Sequence, residues 1–191
     1  MELSVIITHF QTPLFLKKCL KSIREATKNI SAEIIVADSK SNNDFLENLK
    51  KEFPGIKCIS FIKNVGYTKL VNEGLKKAKG NFILILNADI VVVEDAVEKM
   101  IDYMKQNPLI GLLGPQQISF DNQIQPTYFK FYTPLTVLCR RTFFGKTKWG
   151  KKILDRFLLK EKNPNTVFNV DWLMGSALMT KKSAMQKVGF L

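Results

Sequence analysis

Four short apolar runs, at residues 3–7, 33–37, 56–62 and 82–86, each give way to polar residues at the far end. Runs of this length suit strands better than helices. They are apolar nearly throughout rather than alternating, so the sheet they form must be covered on both faces. The stretches between them carry helical spacing. Pro13 opens the first, followed by Phe15, Leu16, Cys19, Leu20 and Ile23. Phe45, Leu46 and Leu49 mark a second, closed by Pro54 and Gly55. Leu70, Val71, Gly74, Leu75 and Ala78 form a third stripe stopped by Gly80, and Ala96, Val97, Met100, Ile101 and Met104 a fourth that ends before Pro108. Strands alternating with amphipathic helices predict an α/β fold, a mostly parallel sheet with helices on both faces.

Ligands of such sheets sit beyond the carboxyl ends of the strands, and polar residues collect there. Thr8 and Phe10 follow the first strand, Asp38 the second, Lys63, Asn64 and Gly66 the third, and Asn87 and Asp89 the fourth. The last pair is the most informative. An amide and a carboxylate placed where a buried strand emerges suit a hard cation and the diphosphate it bridges. Taken alone, Asn-x-Asp also describes a simple turn. Likewise Asp38 and Ser39 suit a turn, Phe10 a core ring and Gly66 a helix start. A rim of four adjacent strand ends is the stronger signal, and it fits a nucleotide diphosphate. No Gly-x-x-x-x-Gly-Lys-Ser/Thr loop is present, and no Gly-x-Gly-x-x-Gly follows the first strand, which argues against P-loop and dinucleotide-binding classes.

At 191 residues the chain is long enough for one full core and short for two domains. No apolar run reaches the roughly 18–20 residues that span a bilayer, and the first residues lack the basic lead-in of a signal peptide. These features predict a cytoplasmic protein. Cys19, Cys58 and Cys139 match no zinc or redox spacing and read as reduced thiols. His9 is the only histidine, which argues against a histidine metal cluster.

The net charge of +12 is concentrated. Between Arg140 and Lys162 there are nine bases and only two acids, Asp155 and Glu161, a local net charge of +7. Large apolar residues precede these bases and are interleaved with them, among them Leu135, Leu138, Phe143, Phe144 and Trp149. Bases beside such groups suit an anionic membrane face. They equally suit nucleic-acid phosphates, or an ordinary solvated face over a core. The carboxylates of the rim speak against nucleic acid, because they repel phosphate unless a metal intervenes.

Five motifs, in order along the chain, carry a resemblance: Ser4-Val5-Ile6-Ile7-Thr8, Glu33-Ile34-Ile35-Val36-Ala37-Asp38-Ser39, Asn64-Val65-Gly66-Tyr67, Leu86-Asn87-Ala88-Asp89 and Trp172-Leu173-Met174-Gly175-Ser176-Ala177. Together they resemble the family 2 glycosyltransferases of GT-A (Rossmann-like) fold, and within them the bacterial rhamnosyltransferase-like subgroup. The resemblance implies that Asp89 is the last acid of an Asp-x-Asp motif that binds a divalent cation, Mn²⁺ or Mg²⁺, with Asn87 in place of the first acid. It implies that Thr8, Phe10, Asp38, Asn64, Gly66 and Asn87 bind the nucleotide-sugar. Phe10 would stack on the base, and Asp38 would hydrogen-bond the base or ribose. It also places Trp172 and Gly175 near the acceptor, although Trp172 equally suits plain core packing.

One departure stands out. Inverting members carry a base for the acceptor hydroxyl in a Glu-Asp pair shortly after a Gly-Phe segment. Here Gly189 and Phe190 are followed only by Leu191. The expectation is therefore a single domain over residues 1–191, C-terminally incomplete, with a basic amphipathic insert at 134–162 and a base beyond Leu191. Asp171 is the nearest acid upstream and a weak substitute. The function so implied is inverting transfer from dTDP-rhamnose or a UDP-sugar to a cell-surface polysaccharide or lipid-linked acceptor. That activity would sit in the cytoplasm, at the inner face of the plasma membrane, with an anionic membrane surface as partner and no nucleic acid. The alternatives are a nucleotide- or metal-binding module without catalysis and, from the charge alone, a basic nucleic-acid-binding domain.

Overall fold

A computed structural model describes residues 1–190. In chain order the elements are β1 (Leu3–Phe10), α1 (Pro13–Ala26), β2 (Ala32–Ser39), α2 (Asn43–Glu52), β3 (Lys57–Phe61), α3 (Tyr67–Lys77), β4 (Phe82–Asn87), α4 (Ala96–Gln106) and β5 (Leu112–Leu113). Then come β6 (Gln117–Ile118), β7 (Ile124–Gln125), β8 (Tyr128–Phe129), α5 (Pro134–Arg141), a 3₁₀ turn at Phe143–Lys146, α6 (Lys148–Phe157), β9 (Trp172–Leu173), β10 (Ala177–Lys181) and α7 (Lys182–Val188).

Two compact units result, one of Met1–Pro115 with Gly175–Leu191, the other of Gln116–Met174. The basic segment at 134–162, expected as an insert in a single domain, is the helical part of the second unit.

The first unit is built on one sheet in the order β3-β2-β1-β4-β10-β5. The first four strands are parallel, and β10 runs antiparallel to both its neighbours. The pleat divides β1 between two cores. Leu3, Val5 and Ile7 join Leu16, Leu20 and Ile23 of α1, Leu49 of α2, and Val97, Ile101 and Met104 of α4 on one face. Ile6 joins Val71 and Leu75 of α3 on the other. Both faces are thus covered, as the continuous apolar runs require. The third run behaves differently. β3 is a half-exposed edge strand, Ile62 lies outside it and is exposed, and Ile56 is buried just before it.

At the end of the sheet opposite the polar rim lies a buried network. Glu33 is buried, and its carboxylate accepts from Ser4 Oγ (2.6 Å), the Lys79 N–H (2.7 Å) and Lys57 Nζ (2.5 Å). Burial alone would push the carboxyl up, but these three donors together hold it below its ordinary value. The sign follows directly. A depressed folded pKa stabilises the fold above the ordinary carboxylate range, and that stability is lost as pH falls through the folded value. Glu33→Ala should cost about 2 kcal/mol at pH 7, because buried donors lose a charged acceptor. The difference from the parent should shrink in acid. Denaturant titrations at pH 7 and pH 3 check this; an unchanged difference would show that packing, not charge, is involved.

The second unit is organised around rings. Phe129 stacks on Trp172 (4.4 Å between centroids) and on Phe157 (5.3 Å), and Tyr132 packs on Phe157 (4.7 Å). β8 pairs antiparallel with β9, and β6 with β7.

Candidate functional site

The strand order reverses direction beside β1. From β1 the chain adds β2 and β3 on one side and then β4 on the other. A crevice opens at the carboxyl ends of strands that part in this way. Register puts Thr8 of β1 directly opposite Asn87 of β4 at that point. The Thr8 hydroxyl donates to Asn87 Oδ1 (3.1 Å), closing the row, and the Ala88 N–H donates to the Thr8 carbonyl (3.1 Å).

Beyond Asn87 the chain turns. The Ile90 N–H donates to the Asn87 carbonyl (3.2 Å), and the Asn87 N–H donates to the Ser176 carbonyl (2.9 Å). Asn87-x-Asp89 is therefore a turn, and the turn is what presents Asp89. Asp89 is exposed, and its carboxylate has no hydrogen bond or ion pair among the described residues. Behind it, burial and then the Asp89 charge push the Cys19 thiol up to about 12, so Cys19 stays protonated and inert.

On the other side of β1 the structure uses His9, a residue to which the sequence assigns no site role. His9 lies opposite Asp38 in the β1–β2 register, and both are buried. The ring Nδ1 lies 2.6 Å from Asp38 Oδ1, and Nε2 accepts from the Thr12 N–H (3.0 Å). Since Nε2 accepts, the ring proton sits on Nδ1 and is donated to Asp38. Ser41 completes the cluster, its hydroxyl donating to Oδ1 (2.7 Å) and its N–H to Oδ2 (3.1 Å). All these bonds are internal. Asp38 itself is fully buried beneath these partners. What the cluster does in this state is clamp the loop after β1 to the loop after β2. Phe10, next to His9, is left 41% exposed at the rim. A lone histidine next to a strand end is the only signal for this pair in the sequence, and it becomes readable only with the register.

The third loop is held similarly. Asn64 Oδ1 accepts from the Gly66 N–H (3.0 Å), and the Val65 N–H reaches Ser39 Oγ (3.4 Å). Gly66 has φ +80° and stands immediately before α3, a backbone setting that side chains rarely adopt. Tyr67, the first residue of α3, donates its hydroxyl to the Gly175 carbonyl (2.6 Å). Gly175 thus belongs to the first unit, and a Cβ there would come within 3.0 Å of Tyr67 Oη.

The structure brings Thr8, Phe10, Asn64, Gly66, Asn87 and Asp89 to the ends of the parallel strands of one unit. Trp172 and Asp171 belong to the other unit. Trp172 is half-buried, stacked on Phe129, with its indole N–H donated to the Lys130 carbonyl (3.0 Å). Its observed contacts are those of a core ring. Asp171 Oδ2 accepts from the Phe131 N–H (2.9 Å) and pins the β8–β9 pair.

For a divalent cation the residues supply one free carboxylate, Asp89, and the described residues contain no cluster of three potential ligands. That donor set does not fit an all-protein cage. It does fit a cation carried largely by substrate phosphates and water, the usual state of Mg²⁺ in phosphate sites.

Residues 4–182 match the sequence profile described as Glycosyl transferase family 2. An uncharacterised glycosyltransferase from Methanocaldococcus jannaschii is 33% identical over 204 aligned positions, covering 84% of this chain and 70% of its own. The structure of Staphylococcus aureus TarS 1–349 in complex with UDP-GlcNAc superimposes with a TM-score of 0.63 at 16% identity, over 98% of this chain and 47% of that one. The mannosyltransferase PcManGT from Pyrobaculum calidifontis, in complex with GDP-Man and Mn²⁺, gives 0.61 at 15% identity, over 99% and 47%. At these identities the structural matches establish the shared GT-A fold. The chain spans about half the length of these solved chains and of several curated relatives.

Proposed function

This chain belongs to glycosyl transferase family 2, and we propose that its first unit binds the diphosphate of a nucleotide-sugar at the β1–β4 crevice, for transfer of the sugar to a saccharide or lipid-linked acceptor. The observation that carries this reading is Asp89, an exposed carboxylate without a partner among the described residues, presented by a hydrogen-bonded turn at the sheet's switch point. The two buried acids of the unit, Glu33 and Asp38, are satisfied within the protein, whereas Asp89 faces solvent at the rim.

Each rim residue has a part. Asp89 supplies an oxygen to a divalent cation, with Asn87 beside it fixed by Thr8. Asp89 would hold such a cation beside the diphosphate, where its charge would supply stabilisation for the departing nucleotide. Phe10 offers an apolar ring face to the base. Asp38 acts through His9 and Ser41, holding the loops on which the base rests. Asn64 and Gly66 shape the loop over the donor. Two fold neighbours were solved in complex, one with UDP-GlcNAc and one with GDP-Man and Mn²⁺. They support a sugar nucleotide and a divalent cation as the class of ligand.

Calorimetric titration with UDP, dTDP and GDP, each with Mn²⁺ and with EDTA, tests the reading. One of the three should bind, at least tenfold more tightly with metal. Equal affinity in metal and EDTA for every nucleotide, or none at millimolar concentration, would refute it.

A further inference from the structure

The second unit contains a helix whose polarity is inverted. In α5 the buried positions are Thr136 and Cys139, 4% and 2% exposed, while Leu135, Val137 and Leu138 are each about two-fifths exposed. A surface helix ordinarily turns its aliphatics inward. Here the hydroxyl is satisfied locally, since Thr133 and Thr136 hydrogen-bond each other (2.9 Å), and the aliphatics are left outside.

The exposed apolar surface continues along the chain. The 3₁₀ turn shows Phe143 at 69%, stacked on Phe144 at 4.3 Å, and α6 shows Trp149 at 55%. These groups cannot fold away locally, because the three helical pieces are packed backbone to backbone. A Cβ on Gly145 would meet the Cys139 carbonyl oxygen at 2.2 Å, and one on Gly150 the Phe144 carbonyl oxygen at 2.0 Å.

The same platform is cationic. Arg141, Lys146, Lys151 and Lys152 are exposed and make no ion pair among the described residues. Of the two acids in the segment, Asp155 is already paired with Lys160 (2.6 Å). Arg140 is committed elsewhere, over the Tyr132 and Phe157 rings.

We propose that the outward side of α5, the 3₁₀ turn and α6 docks on an anionic lipid bilayer, with Leu135, Leu138, Phe143 and Trp149 entering the headgroup–acyl boundary and the bases lying among the headgroups. A second copy of the chain is a poor occupant, because two platforms that each carry seven bases and one acid over residues 134–157, a net charge of +6, repel. Nucleic acid would use the bases but gains nothing from three exposed aliphatics. A bilayer uses both sets at once.

Trp149 makes the test direct, since the only other tryptophan, Trp172, is stacked in the core of the unit. The intact chain is mixed with phosphatidylcholine vesicles and with vesicles containing phosphatidylglycerol. Co-sedimentation should occur with the anionic vesicles, weaken in about 0.5 M salt as the charges are screened, and blue-shift tryptophan emission. The shift should disappear in Trp149→Tyr, which should still bind. Changing Arg141, Lys146, Lys151 and Lys152 to Gln should weaken partitioning by about fivefold per base, roughly 600-fold together. Equal partitioning onto neutral vesicles, binding without an emission shift, or binding to a DNA oligonucleotide in place of vesicles would each overturn the proposal. All the substituted positions are exposed, so the variants should retain the parent's circular dichroism.

Discussion

Asp89→Ala should make nucleotide binding indifferent to metal. In saturating Mn²⁺ its affinity should fall to the value the parent shows in EDTA. Any transfer or donor hydrolysis by the parent should drop by about 10²–10³-fold, the usual consequence of removing one preorganised group that stabilises developing charge. The size of this effect contrasts with the small change expected in folding. Asp89 is exposed and has no hydrogen-bond partner among the described residues, so the variant should unfold within about 0.5 kcal/mol of the parent. Asp89→Asn separates shape from charge: it keeps an oxygen but should behave nearly as badly as Ala, because a neutral amide is a weak ligand for a hard cation. Retention of full metal dependence in Asp89→Ala would remove this residue from the site and leave the rim without its central acid.

Gly80→Ala should be the most destabilising small change in the first unit. A Cβ at this position would lie 2.4 Å from the Ser4 nitrogen, 2.5 Å from the Leu3 carbonyl carbon and 2.9 Å from the Leu3 Cα. All three atoms are backbone of β1, the strand held between β2 and β4, and none can swing aside as a side chain would. The Gly80 N–H also donates to Ser4 Oγ (2.8 Å), inside the Glu33 network, so a shift there strains buried hydrogen bonds too. A cost of about 3 kcal/mol is expected, at the upper end for overpacking, or about 10 °C in the unfolding midpoint. Gly55→Ala is the control. Gly55 has φ +88° but nothing within 4 Å, so only backbone strain applies, about 1 kcal/mol. If the two variants unfold together, close approach at Gly80 is not what fixes the glycine.

These two residues show how differently parts of the molecule can be read. Asp89 is marked out in the chain as a candidate because it stands in a row of four polar strand ends; by itself Asn-x-Asp also describes the turn that the structure forms. Gly80 reads there only as a helix stop; its proximity to β1 appears once β4 is laid beside β1. His9 is the strongest case of this kind. As an isolated histidine it carries no evident role, and Asp38 alone reads as facing a nucleotide. The register sets the two opposite each other, and in this structure they satisfy one another with Ser41. The third apolar run reads as two residues longer than the strand, since an edge strand needs less burial than its hydropathy suggests.

The sequence by itself determined the parallel half of the fold, the side of the sheet on which the rim lies, and the family. Continuous apolar runs demand cover on both faces, and polar residues at strand ends demand a reason. Tertiary structure decided everything that depends on pairing between distant segments. It turned residues 177–181 into an antiparallel strand against β4, and it gathered residues 116–174 into a unit of their own. It also put Leu135, Val137 and Leu138 outside while burying Thr136 and Cys139. Hydropathy along a chain states what burial each residue favours; which residues obtain it is settled by the packing of elements far apart in sequence.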